Sequence, residues 1–276
     1  MNFRRPPMYP YRIAFALALS LAWWPTVRSA DPAGALVIVG GGKFPTAVRA
    51  EFFKLAGGPG KARIVVIPTA SETADDPKAT EASLKGWRDL KPAAVQVVHT
   101  RERKAADDPA FTAPLRDATA VWFGGGDQNK IIAAYRGTLV EKELRKVLDR
   151  GGVIGGTSAG AAIMSGLMIQ GGTAEARTGP GFGFVPGVVV DQHFVARDRI
   201  GRLRGVLGKN PTLVGLGVDE ATAAVVRGDT VTVLGDGTVT AIAARSAAAA
   251  GEEKVYKAGE KIDLAALRPV TPAKSR

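Results

Sequence analysis

The sequence predicts a three-layer α/β sandwich built on a mostly parallel central sheet. Three observations predict it. Five short apolar runs, rich in Val and Ile, recur through the first 160 residues: Ala35 to Val39, Arg63 to Ile67, Ala94 to Val98, Thr119 to Phe123 and Gly152 to Ile154. Runs with so little polar alternation suit strands buried on both faces, the habit of parallel sheets. Stretches with helical spacing lie between them, clearest at Phe44 to Leu55, Ala79 to Leu90 and Leu139 to Leu148, and strand alternating with helix argues for helices on both faces of one sheet. Glycine clusters close three of the runs, at Gly40-Gly41-Gly42, Gly124-Gly125-Gly126 and Gly155-Gly156. Ligands in open α/β sheets sit beyond the carboxyl ends of the strands, so the glycine-rich ends of the fourth and fifth runs are where chemistry is expected.

The last third changes character. Val188 to Val190, Leu213 to Val218 and Ala223 to Val226 read as strands. Val231 to Leu234 and Val239 to Ala241 flank Gly235-Asp236-Gly237, which reads as a hairpin turn. These strands are expected to extend the same sheet in antiparallel fashion. The tail after Leu267, with Pro, Lys and Ser, reads as loose.

Residues Met1 to Ser29 read as a signal peptide. Arg4, Arg5 and Arg12 supply a positive start, and Ile13 to Trp24 an apolar stretch too short to span a bilayer comfortably. Cleavage after Ser29 is expected to leave one catalytic domain over residues 30–276, exported to the periplasm or beyond the cell. No second apolar run reaches membrane length, so no stable membrane span is expected after cleavage.

Composition narrows the chemistry. The chain has no cysteine, which excludes disulfides, thiolate metal sites and cysteine nucleophiles. It has two histidines, His99 and His193, so a three-histidine zinc site is impossible and a histidine base must be one of these two. No metal and no cofactor are expected. The formal charge is +11. It fits an anionic partner, but no basic run is interleaved with aromatics, which argues against nucleic acid.

The informative segment is Gly152 to Met164, where an apolar run meets Gly156-Thr157-Ser158-Ala159-Gly160 and then a run of small residues. Strand, G-x-S-x-G and small-residue helix together form the context of a nucleophile elbow. Ser158 is therefore the candidate nucleophile, with the helix start behind it favouring developing negative charge. The Ala159 backbone N–H is a candidate oxyanion donor, and a glycine N–H near Gly125 is a second. A phosphate-cradling loop needs a lysine after its last glycine, and none is present. A dinucleotide fingerprint after Gly40 needs a glycine at position 45, where Pro45 stands.

A serine nucleophile needs a base. His99 ends the third apolar run and reads as a packed or surface residue. His193, in Val190-Asp191-Gln192-His193-Phe194, lies just past a strand end among polar groups and is the better base. An acid must orient its imidazole. Glu220 fits best, with Asp191 and Asp219 as rivals. The order Ser158, His193, Glu220 differs from the α/β-hydrolase order, in which the acid precedes the histidine. Arg197, Arg199 and Arg202 follow His193. Three arginines there suit a bidentate grip on a carboxylate, although Asp198 and Arg202 also stand at i,i+4 spacing on a helix face. Gln128 is placed to hydrogen-bond a ligand, and Asp127 to cap a helix.

Four motifs now stand together: Phe123 to Gln128, Gly155 to Ala161, Asp191 to Phe194 with the three arginines, and Gly217 to Glu220. In this combination the chain resembles the cyanophycinase branch of the S51 serine peptidases, related to α-aspartyl dipeptidase, from Leu36 to about Ile242. The resemblance implies a class I glutamine amidotransferase-like fold and a triad at Ser158, His193 and Glu220. It implies that Gln128, Asp191, Gln192, Arg197, Arg199 and Arg202 recognise a β-linked aspartyl-arginine unit. The implied substrate is cyanophycin, a poly-aspartate chain with arginine on each side-chain carboxyl, and the implied products are β-aspartyl-arginine dipeptides. A homodimer is also implied. The export signal departs from members that mobilise an internal store, and points to polymer outside the cell or to another aspartyl peptide.

Overall fold

The computed structural model describes Met1, residues 34–243 and residues 251–268. Apart from Met1, the segment read as an export signal lies outside the described residues, as does the tail beyond Arg268. Five strands run parallel: β1 (Ala35–Val39), β2 (Arg63–Ile67), β3 (Ala94–Val97), β4 (Ala120–Phe123) and β5 (Val153–Thr157), in spatial order β3-β2-β4-β5-β1. Between them lie α1 (Thr46–Leu55), α2 (Pro77–Arg88), two single turns α3 (Arg103–Ala106) and α4 (Ala113–Arg116), then α5 (Gln128–Tyr135) and α6 (Leu139–Asp149). One further turn, α7 (Ala159–Ala162), follows β5.

The alternation of β1 explains the layers. Ala35, Val37 and Val39 pack with Phe52, Trp87 and Trp122 on the side of α1 and α2. Leu36 and Ile38 face the other way, toward Leu144 of α6 and Ile163. Both faces are buried, which is why these strands read as unbroken apolar runs. Helix starts follow ordinary capping. Asp76 accepts from the Lys78 N–H at 2.9 Å with Pro77 in the first turn, so α2 begins two residues earlier than its apolar spacing predicts. Asp127 caps α5 as expected, accepting from the Asn129 N–H at 2.8 Å.

Gly155 and Gly156 were expected to end β5, but both lie inside it. A Cβ on Gly155 would fall 2.6 Å from the Trp122 ring, and one on Gly156 2.4 Å from the Gly160 carbonyl oxygen. They are glycines because neighbours press against the strand, not because it turns there.

Beyond α7 come the hairpin β6 (Leu167–Gly171) and β7 (Arg177–Pro180), then β8 (Val188–Gln192), α8 (Ile200–Lys209) and β9 (Val214–Val218). After them come β10 (Thr222–Arg227), β11 (Thr230–Gly235), β12 (Val239–Ala243), β13 (Glu253–Tyr256), β14 (Lys261–Asp263) and the turn α9 (Leu264–Leu267). β10, β11 and β14 extend the main sheet beyond β1 to eight strands, all antiparallel, as the sequence predicts. The other C-terminal strands do not join it. β8, β9, β12 and β13 form a second, four-stranded sheet in which β8 and β9 run parallel.

The hairpin expected at Gly235-Asp236-Gly237 is therefore absent, because β11 and β12 belong to different sheets. The Asp236 N–H donates to Ala221 O at 2.9 Å and the Gly237 N–H to Thr222 Oγ1 at 2.8 Å, which carries the chain from one sheet to the other. The tight hairpin is at Gly228-Asp229 instead, a two-residue link between Arg227 and Thr230 with Gly228 at φ 53°.

Candidate active site

Adjacent parallel strands β1 and β5 end side by side, with Val39 opposite Thr157. The next residue, Ser158, has φ 53° and ψ −107°, outside the regions that side chains favour. Its N–H donates to Val39 O at 3.0 Å. The turn closes only with small residues, since a Cβ on Gly160 would stand 2.5 Å from Phe123 O. Strain of this kind costs about 1–3 kcal/mol and persists where the surroundings hold it. The helix behind Ser158 is a single turn, so the helix dipole expected there is small. Individual N–H groups matter more. Those of Ala159 and Gly125 donate to no other described residue. Gly125 lies against the serine, its Cβ position 3.5 Å from Ser158 Cβ.

His193 follows β8, at φ 49°. Its N–H donates to Gly40 O at 2.7 Å, which ties it to the end of β1. The ring is buried, and it bridges two partners. Ser158 Oγ lies 3.0 Å from Nε2, and Glu220 Oε1 lies 2.5 Å from Nδ1. A carboxylate can only accept, so Nδ1–H donates to Glu220 and Nε2 of the neutral ring accepts the Ser158 hydroxyl proton. The two rival acids are engaged elsewhere. Asp219 accepts from the Ala196 N–H at 3.1 Å, and Asp191 is buried among arginines.

Gly40-Gly41-Gly42, read in the sequence only as the end of a strand, encloses the histidine and the glutamate. A Cβ on Gly41, at φ 122°, would lie 2.2 Å from His193 Cε1, and one on Gly42 3.0 Å from Glu220 Oε2. The Ala221 N–H, after Glu220, donates to Gly41 O at 2.9 Å. The triple glycine at the carboxyl end of the central strand was the available signal, because such a cluster marks close approach by another group.

The remaining candidates separate into two sets. Asp191 and Arg202 pair inside the protein, with side chains 1% and 3% exposed. Arg202 Nε donates to Asp191 Oδ2 at 2.7 Å, Nη2 to Asp191 Oδ1 and Nη1 to Gly172 O. Arg202 thus turns inward, away from Asp198, and its fork is occupied; the carboxylate grip expected of it is taken by Asp191. Arg199 donates to Gln192 O and, at 3.4 Å, to Asp191 Oδ1. Burial, and next the charge of Arg202, pull its pKa down to about 10. Arg197 is exposed. Gln128 is buried, and its Nε2 donates to Ile169 O at 3.0 Å and Gln170 O at 2.9 Å, so this amide nitrogen anchors β6. Gln192 is buried too, and its Oε1 has no donor among the described residues.

His99 lies in a separate network. Its Nδ1 is 2.8 Å from Thr69 Oγ1, which is 2.7 Å from the Tyr135 hydroxyl, and its Nε2 is 2.9 Å from Asp75 Oδ1. Arg101 first, then His99, hold the Asp75 carboxyl below its usual range. Arg101 also donates to Thr69 O and Ser71 O. The network braces the loop after β2, whose Ala70 O accepts from the Asp127 N–H at 2.9 Å. It therefore supports the glycine turn that faces Ser158.

Residues 36–234 match peptidase family S51. The chain belongs to that family. It is a peptidase, and the family is serine-type. The cyanophycinase of Geminocystis herdmanii is 36% identical over 204 residues, 70% of this chain and 73% of that protein. The cyanophycinase of Trichormus variabilis is 35% identical over 207 residues, 69% of this chain and 66% of that protein. A solved peptidase from an acI-B1 actinobacterium superposes with a TM-score of 0.65 at 25% identity, over 83% of this chain and 96% of that one. The S51 match ends at residue 234, near the close of β11. It thus includes Ser158, His193 and Glu220 and all the strands that carry them.

Proposed function

We propose that this peptidase hydrolyses cyanophycin to β-aspartyl-arginine dipeptides through an acyl-enzyme on Ser158. The observation that carries the reading is the chain Ser158–His193–Glu220, linked at 3.0 and 2.5 Å, in a member of a serine peptidase family. His193 Nε2 takes the hydroxyl proton as Ser158 Oγ attacks the carbonyl carbon, and Glu220 stabilises the imidazolium. The Gly125 and Ala159 N–H groups receive the oxyanion, a contribution of about 3–4 kcal/mol per donor in comparable sites. His193 returns the proton to the leaving amine. Water then attacks the acyl carbon with His193 as base and frees Ser158.

Two features support an aspartyl-arginine substrate. Gln192, next to the base in sequence, has a buried Oε1 without a donor among the described residues, and an unpaired buried acceptor costs roughly 1–3 kcal/mol that a substrate N–H would remove. Arg199, crowded by Arg202 and Arg197, gains from an anion nearby. Asp191 and Arg202 serve as the buttress that sets Arg199 and Gln192. The relatives named cyanophycinase support the same substrate. We further propose export, on the strength of the arginine-led apolar segment at the start of the sequence.

The test is incubation of the purified protein with cyanophycin, with products read by mass spectrometry. The reading predicts β-aspartyl-arginine dipeptides from the wild type and none from Ser158→Ala. Intact polymer alongside cleaved α-aspartyl dipeptides would overturn the substrate and leave the nucleophile standing.

A further inference from the structure

A cavity of about 340 Å³ opens on the α1–α2 side of the main sheet, beyond the ends of β2 and β4. Gly124 and Gly125 form its edge toward Ser158. Its inner wall is aromatic. Phe44 stacks on Trp122 with centroids 4.6 Å apart and meets Trp87 edge-on at 5.8 Å. Arg49 is the single charged residue in the lining among the described residues. Its guanidinium lies 5.0 Å from the Phe44 centroid and 6.0 Å from that of Trp87. Contact with aromatic rings ties none of the N–H donors of a guanidinium fork to an acceptor oxygen. No described carboxylate or carbonyl accepts from that fork. α2 carries Gly86 where the guanidinium lies, and a Cβ there would stand 3.1 Å from Arg49 Nη1.

We propose that this cavity is a second substrate subsite, which takes a carboxylate-bearing residue of the peptide on the Gly125 side of the scissile bond. Arg49 is its bidentate partner, and Phe44, Trp87 and Trp122 cover the residue's apolar atoms. The sign of the charge decides the ligand. A substrate guanidinium would stack on the same rings, but it would meet Arg49 with no acid in the lining to offset it. A carboxylate meets a planar fork already held beside two aromatic rings. The site is distinct from the arginines after β8, since α1, α2 and the end of β4 build it. The inference rests on Ser158 as the reacting centre, because that gives the cavity its relation to the scissile bond.

The test uses the Ser158→Ala chain as a binding host, with β-aspartyl-arginine and its C-terminal carboxamide as probes in calorimetry. The free acid is expected to bind tenfold or more tightly than the amide, roughly the worth of one charge-assisted contact. Arg49→Gln should abolish that preference, and Arg49→Lys should keep part of it. Equal binding of acid and amide to the host, or a preference that survives Arg49→Gln, overturns the subsite. Release of β-aspartyl-arginine from cyanophycin by the Ser158→Ala host, read by mass spectrometry, overturns the nucleophile instead and leaves the Arg49 comparison intact.

Discussion

Gly41→Ala tests the packing that holds His193, the proposed base. A Cβ at position 41 would lie 2.2 Å from His193 Cε1, 2.4 Å from Nε2 and 2.8 Å from Nδ1. Non-bonded carbons rest about 3.5 Å apart, so the ring must retreat by roughly 1 Å. That retreat breaks the 3.0 Å link from Nε2 to Ser158 Oγ. A displacement of about 1 Å at a reacting group costs on the order of 100-fold in rate. The substitution also forces alanine to φ 122°, a strain of about 1–3 kcal/mol. In a domain of this size that lowers Tm by roughly 2–12 °C. Gly58→Ala separates the two effects, because Gly58 has φ 75° but nothing within 4 Å of a built Cβ. The assay is kcat and KM on an aspartyl-arginine peptide, with thermal melts by circular dichroism. Both variants should lose Tm, and only Gly41→Ala should lose turnover, by about 100-fold. Gly41→Ala turnover within threefold of the wild type would refute the placement of His193 as the base.

Other outcomes follow from the same geometry. Ser158→Gly should abolish hydrolysis and yet stabilise the fold by about 1 kcal/mol in urea melts, since relief of the strained backbone exceeds the entropy cost of glycine. Asp191→Asn strands the Arg202 charge, whose side chain is 3% exposed, and should cost about 3–5 kcal/mol in the same assay. The double change Asp191→Leu with Arg202→Met should cost less than either single change, because a buried pair is roughly replaceable by apolar side chains. Asp75 has its carboxyl pKa lowered by Arg101 and His99. Its stabilisation is therefore full above the unfolded carboxylate pKa and fades as pH falls through the folded value. Melts of Asp75→Asn and the wild type should differ at neutral pH and converge in strong acid.

The parts legible in the sequence were those governed by local rules. The five parallel strands show as apolar runs because helices cover both of their faces. The strained turn at Ser158 was legible because it demands the small residues Gly156, Ala159 and Gly160 around it. The scarcity of histidine pointed to His193. What stayed hidden depends on distant partners. β8, β9 and β12 are buried along their whole length, so their residues mark them as strands without telling which sheet they join, and the second sheet was missed. Gly41 announced that something approaches it, and the chain 150 residues later supplies the His193 ring. The spacing of Asp198 and Arg202 suggested a surface pair, whereas a carboxylate on the buried end of β8 draws Arg202 inward. The links from Asp75 through His99 and Thr69 to Tyr135 join three separate segments, and no spacing rule connects them.

The most direct test of the central claim is active-site labelling with a serine-directed phosphonate, with the adduct located by mass spectrometry. The account predicts one adduct per chain, on Ser158, with loss of hydrolysis in proportion to labelling and little labelling of His193→Ala. Full inactivation with the adduct elsewhere, or unimpaired hydrolysis by a chain fully labelled at Ser158, would contradict it.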